Sequence, residues 1–148
     1  NMLRWSKNFK SIYKGYFMGA ELSTNAINFL REKVYAHIAT LMKDGSPQVT
    51  PLWVDTDGSH ILINTSTGRV KTRNIERDGR VALSIMGLES AYRCLWIRGK
   101  VVEIKKDNEL IDSLSFKYTG HPTYQGYQQG VDRISVKIEP IHVTERGI

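Results

Sequence analysis

The chain is 148 residues long, 41% apolar and 24% charged, with a formal charge of +6 and one cysteine, Cys94. That length suits one domain with a full hydrophobic core; no run approaches the roughly 20 apolar residues that cross a bilayer, and the N-terminus has no signal-peptide pattern. A lone cysteine excludes an internal disulfide, so the expected setting is reduced and cytoplasmic, with Cys94 as buried filler.

Residues 1–22 read as a basic, aromatic arm. Arg4, Lys7, Lys10 and Lys14 against Glu21 give it +3, half of the chain's excess, and Trp5, Phe9, Ile12, Tyr13, Tyr16 and Phe17 lie among them. The rest, 23–148, reads as a single, mildly basic domain. Attraction to a polyanion needs a concentrated patch, and only the arm and the Arg69–Arg77 segment have one. That distribution fits a discrete phosphate-bearing ligand better than a duplex.

Ser23 or Thr24 is placed to cap a short helix carrying Ile27, Leu30 and Arg31. From Tyr35 the pattern turns to strands: Tyr35 to Met42, a Lys43-Asp44-Gly45 turn, Gln48 to Val54, then Asp57-Gly58 before His60 to Asn64. A helix of about two turns is predicted after Gly68, ended by Asp78-Gly79. Arg80 to Met86 and Arg93 to Ile104 continue the sheet, and Leu110, Ile111, Leu114 and Tyr118 recur at helical spacing over Asp107 to Lys117. Thr119 to Gly130, rich in Gly, Pro, Gln and Tyr, is a loop. A last strand over Val131 to Val143 carries Arg133, Ser135 and Lys137 on one face and Ile134, Val136 and Ile138 on the other. About six antiparallel strands in a chain this size are best closed into a small β-barrel, which removes exposed edges, with two to four short helices covering its ends.

The segment from Asn64 to Asn74 concentrates the chemistry. The hydroxyls of Thr65, Ser66 and Thr67, then Gly68, then Arg69 and Lys71 at the start of a helix make a phosphate cradle, since free backbone N–H groups and the positive dipole end favour an anion there. The structural alternative is a helix cap with a solvated basic face.

The ordered motifs Ala36-His37-Ile38-Ala39-Thr40-Leu41, Asp44 to Trp53, Asn64-Thr65 with Gly68 to Ile75, Asp78 with Arg80 to Ser84, Ile97 to Val101, Lys117-Tyr118-Thr119-Gly120 and Ile138-Glu139-Pro140 resemble the pyridoxamine 5′-phosphate oxidase-like, FMN-binding split-barrel family. Within it the chain is most similar to the branch that uses the deazaflavin F420. The resemblance covers residues 22 to 146 and leaves out the arm; Gly79 stands where these proteins commonly carry proline. It implies a homodimer of split barrels with a flavin-type cofactor, F420 or FMN, at the subunit interface. The ring would lie against Val49, Thr50, Pro51 and Trp53. The phosphate would meet Arg69 and Lys71, with Thr65 and Ser66 as hydroxyl partners and Asn74 as a further candidate. The residues agree in one respect of their own: Pro51 cannot donate to a ladder, so it is expected to interrupt pairing and leave neighbouring backbone groups to a ligand.

Trp53 and Trp96 are candidates for stacking on a ring or shaping a substrate pocket, with burial in the barrel or at the dimer interface as the alternative, favoured for Trp96. Tyr118, Tyr124 and Tyr127 surround the last loop, where mutual packing is favoured over a lid. His37, His60, His121 and His142 lack ligand spacing, so no metal is expected. The reaction the resemblance implies is hydride transfer between the cofactor and a small organic substrate. The cofactor carries the reactivity, and no catalytic side chain is assigned. A non-catalytic cofactor carrier or haem-handling barrel is the alternative. The expected partners are cofactor, substrate and a second copy, with neither nucleic acid nor membrane.

Overall fold

In the computed structural model the described residues are 19–148, so most of the arm, residues 1–18, lies outside them. Helix α1 (Thr24–Arg31) leads into β1 (Tyr35–Leu41), β2 (Pro47–Thr56) and β3 (Ile61–Ser66). Then come α2 (Val70–Arg77), β4 (Arg80–Met86), β5 (Cys94–Lys106), α3 (Glu109–Thr119) and β6 (Arg133–Arg146). The six strands close, all antiparallel, in the order β1-β2-β3-β6-β5-β4. The expected barrel is therefore the observed one, with three helices.

Alternation with a period of two sends Ala36 and Ile38, Ile61 and Ile63, Val81, Leu83 and Ile85, Leu95 and Ile97, and Ile134, Val136 and Ile138 into one buried core. Helix α1 closes one end. Its cap is Ser23, whose hydroxyl accepts the Ala26 N–H at 3.0 Å. Its buried face, Ala26, Phe29 and Leu30, joins the barrel core. The Arg93 guanidinium lies 5.1 Å from the Phe29 ring centroid and is paired with Glu32 (2.8 Å) and Glu89 (3.1 Å). The end of the arm is tied down too: Ala20 N–H donates to the Pro140 carbonyl at 2.7 Å and Leu22 is buried. Cys94 is buried and free.

Helix α3 starts two residues later than the pattern predicts. Asp107 is held outside it, accepting from the Glu109 N–H (3.2 Å) and the Ser135 hydroxyl (2.8 Å), so it serves the turn rather than the helix.

At Gly99 the β5–β6 register shifts, and a Cβ there would sit 2.6 Å from the Glu139 carbonyl oxygen and 2.7 Å from Ile138 Cγ2. Backbone is the obstacle, so Gly99→Ala is expected to cost about 1–3 kcal/mol, read as a lowered urea midpoint with unchanged slope. An unchanged midpoint would show that the bulge yields freely.

Strand β2 sets the position of the site. It pairs with β1 without a break from Leu41↔Pro47 to Tyr35↔Trp53, but with β3 only through Val54, Asp55 and Thr56. The expected interruption at Pro51 is thus not on the β1 side, where Pro51 sits opposite His37. A proline fits an antiparallel ladder only at a non-hydrogen-bonded pair. The backbone groups of Val49, Pro51 and Trp53 therefore turn to the other edge, which β3 leaves open.

Candidate functional site

The turn from β3 to α2 is built by Gly68, whose φ of 82° lies in the left-handed region that glycine enters without cost. Around it Thr72 Oγ1 donates to the Ser66 carbonyl at 2.7 Å and lies 3.0 Å from Thr65 Oγ1, while Arg69 Nε donates to Ser66 Oγ at 3.0 Å. The Thr67 hydroxyl accepts the Asp132 N–H at 3.1 Å, which fastens the turn to the start of β6. The N-cap residue of α2 is Arg69, with no side-chain cap bond. Its basic face is divided. Arg73 is exposed and bonds the Gly68 carbonyl at 2.9 Å, whereas Lys71 is buried.

Beside this turn lies a cavity of about 190 Å³, walled by Pro51, Leu52 and Trp53 of β2, Asn64 and Thr65 of β3, and Ile111 and Leu114 of α3. Arg69, Lys71, Tyr124 and Arg133 complete it. The Arg133 Nε donates to Asn64 Oδ1 at 2.9 Å, and its guanidinium lies 4.9 Å from the Tyr124 ring centroid. Among the described residues none of the three cations has a carboxylate within 4.0 Å. Burial, then the charges of Arg69 and Arg133, hold the Lys71 ammonium below the usual lysine range. Burial also lowers Arg133, which Arg69 reinforces and Tyr124 opposes. Three uncompensated cations around a small cavity of mixed polar and apolar lining have the charge to hold a compact anion.

A pH dependence follows. An anion favours the charged ammonium, so binding raises the depressed Lys71 pKa and takes up a proton wherever the empty site has lost it. Affinity for a phosphate monoester such as FMN should therefore fall as pH rises from about 7, where the monoester is already mostly the dianion, through the lysine's lowered pKa. Lys71→Arg should flatten that fall, because guanidinium stays charged. Isothermal titration across the range measures it, and a profile identical in both proteins would count against Lys71 as a contact. For the empty protein the sign is opposite: the unfolded chain holds this proton more tightly, so stability rises with pH between the two lysine pKa values.

Of the residues singled out in the sequence, the structure brings Pro51, Trp53, Thr65, Arg69 and Lys71 to one cavity, with Ser66 tied to Arg69. It does not bring Val49, Thr50 or Asn74 there. Val49 is exposed on a groove outside the barrel, and Thr50 Oγ1 is buried without a partner among the described residues. Asn74 is buried under α2, its amide donating to Thr40 Oγ1 at 3.0 Å and its carbonyl accepting from Arg77 at 2.9 Å. Trp96 is 40% exposed, on that same outer groove. Tyr118 is no lid: its ring stacks on Trp53 at 5.1 Å and 5°. Tyr124 and Tyr127 pack edge to face, as expected, and Tyr124 also meets Trp53 edge-on.

Asn64 and Arg133 also line the cavity, and the sequence alone assigns them no role there. Arg133 was legible as an outward residue of the last strand, but its place depends on β6 pairing with β3, opposite Ser66.

Comparison with known proteins places the chain in a class, that of flavin-binding split barrels. Residues 23–146 match pyridoxamine 5′-phosphate oxidase, and the chain belongs to that family. Among solved structures it is similar to an F420 reductase, at 30% identity over 79% of this chain and 94% of the other, with a TM-score of 0.72. A conserved hypothetical protein from Mycobacterium tuberculosis shares the fold at 21% identity, covering 86% of each chain with a TM-score of 0.66. HupZ of Group A Streptococcus shares it at 17% identity, over 84% and 93% of the two chains, with a TM-score of 0.60. A comparison with curated proteins finds no match.

Proposed function

We propose that this chain binds a phosphorylated flavin or deazaflavin, FMN or F420, and works as an oxidoreductase that moves hydride between it and a small organic molecule. The observation that carries this reading is the convergence of Arg69, Lys71 and Arg133, without a carboxylate, on a cavity walled by β2. The donor set fits a phosphate group: two guanidinium forks and an ammonium around the dianionic monoester of FMN or the singly charged diester of F420. When bound, such a cofactor supplies the hydride chemistry itself. The chain's share is to hold the phosphate with the three cations and to offer a flat edge at Pro51 and Trp53, whose backbone groups face away from β1. The similarity to an F420 reductase at 30% identity supports the deazaflavin form.

We also propose that the working unit is a homodimer. A cavity of about 190 Å³ falls short of the roughly 300–1,000 Å³ of a cofactor site; it suits the phosphate and chain but leaves the ring outside. On the outer face, across β1, β4, β5 and β6 with Val49 of β2 at its margin, runs a groove of about 530 Å³ lined by His37, Ala39, Val49, Ser84, Trp96 and His142. Tyr35, Met86 and Trp96 are exposed on that face. A second copy seated there covers the apolar side chains and closes the open side of the site.

Parallel titration of cofactor-free protein with FMN, F420 and riboflavin, followed by sedimentation, tests both statements. Tight binding of a phosphorylated cofactor by a dimer is expected. Failure to bind either one overturns the reading. The carrier alternative has one observation in its favour: among the described residues no carboxylate, histidine or cysteine lines the cavity to serve as a ready general acid. Binding without turnover of any acceptor would decide for it.

A further inference from the structure

The last turn of α3 reaches the place where β1 and β2 part. Their ladder ends at Tyr35↔Trp53, so the next pair along it is Val34 and Val54. There the two backbones do not bond each other. The Val54 N–H donates instead to the Tyr118 hydroxyl at 3.2 Å, and that hydroxyl donates on to the Val34 carbonyl. A phenol both accepts and donates, so it can stand between an N–H and a C=O that would otherwise meet directly. Lys117 takes the remaining group: its Nζ donates to the Val54 carbonyl at 2.7 Å and to the Leu30 carbonyl at 2.6 Å, with Asp55 at 3.7 Å. Val34 and Val54 are 1% and 0% exposed, so water does not replace these bonds. The Tyr118 ring then lies flat against Trp53, the wall of the cavity.

We infer that Lys117 and Tyr118 are positioning residues that part β1 from β2 and fix Trp53 at the angle the cofactor ring requires. The inference rests on the cofactor reading above and extends it to residues that touch no phosphate. Burial pushes the Tyr118 phenol up to about 12, so it remains a donor at any working pH.

The test compares the full chain with Tyr118→Phe, which keeps the ring and removes the hydroxyl, and with Lys117→Met. Two readouts are taken: the Trp53 indole resonance by NMR, identified by its loss in Trp53→Phe, and the affinities for FMN, F420 and inorganic phosphate. In Tyr118→Phe the Trp53 signal should move, and FMN and F420 should bind about tenfold more weakly, as befits one lost hydrogen-bonded anchor. Inorganic phosphate should bind as before, since its three cations are untouched; Lys117→Met should repeat this pattern. An unmoved Trp53 signal overturns the inference, as does unchanged cofactor affinity. Equal losses for cofactor and phosphate overturn it too, because they report general loosening. If the unaltered protein binds phosphate but neither cofactor, the functional reading fails, and this inference with it, before any variant is considered.

Discussion

Replacing Arg69 and Lys71 together by alanine is expected to weaken FMN or F420 binding by about 10²–10⁴-fold, from two lost charge-assisted bonds at roughly 1.5–3 kcal/mol each. The expectation is strong because, among the described residues, no further cation lines the cavity to take over and the remaining Arg133 is already engaged with Asn64 and Tyr124. The fold should tolerate the change. Arg69 is exposed, and removing a buried, desolvated ammonium at position 71 relieves repulsion among three like charges. Riboflavin, which lacks the phosphate, should bind both proteins alike. The measurement is a fluorescence titration of each ligand against each protein. If FMN or F420 binds the variant as tightly as the parent, the segment is a helix start and no more, and the phosphate site lies elsewhere.

Phe29→Ala is expected to cost about 3–5 kcal/mol of stability, a large part of the roughly 5–15 kcal/mol that a domain possesses. Phe29 is 1% exposed and stands between Ala26 and Leu30 on the one buried face of α1. Its ring carries Arg93, which in turn joins Glu32 to Glu89. Removing it opens a cavity at the covered end of the barrel and strips the guanidinium of its seat. The effect should reach the site, because the Leu30 carbonyl on the same helix is an anchor of Lys117. Denaturant unfolding gives the stability and a parallel titration with FMN and F420 gives the reach. A loss under about 1 kcal/mol would mean that α1 only rests on the barrel.

Much of the architecture was legible because its causes are local. Alternation in Arg80 to Met86 needed no tertiary information to read as a half-buried strand, and the Ser23 cap and the Asp78 end of α2 were placed by side chains that bond their own neighbours. The boundary of α3 was misjudged at Asp107 because its carboxylate is claimed partly by Ser135, a residue 28 positions away.

The candidate site was half legible for the same reason. Thr65, Ser66, Arg69 and Lys71 are close in sequence, and their chemistry shows on inspection. Pro51 and Trp53 entered through resemblance. Asn74 has the right residue type in the right segment, but the turn of the helix carries it to the opposite side, under Thr40.

The sequence by itself determined the class of fold, six antiparallel strands with short helices, and the hydroxyl-rich, basic turn after β3, because strand alternation, turn residues and caps act over a few positions. The tertiary structure alone decided that Lys71 is buried rather than solvated, that Arg133 is the third cation, and that Tyr118 stands between Val34 and Val54. Each of these depends on which strands and helices become neighbours when the barrel closes, and closure is settled by the summed burial of the whole core, not by any one segment.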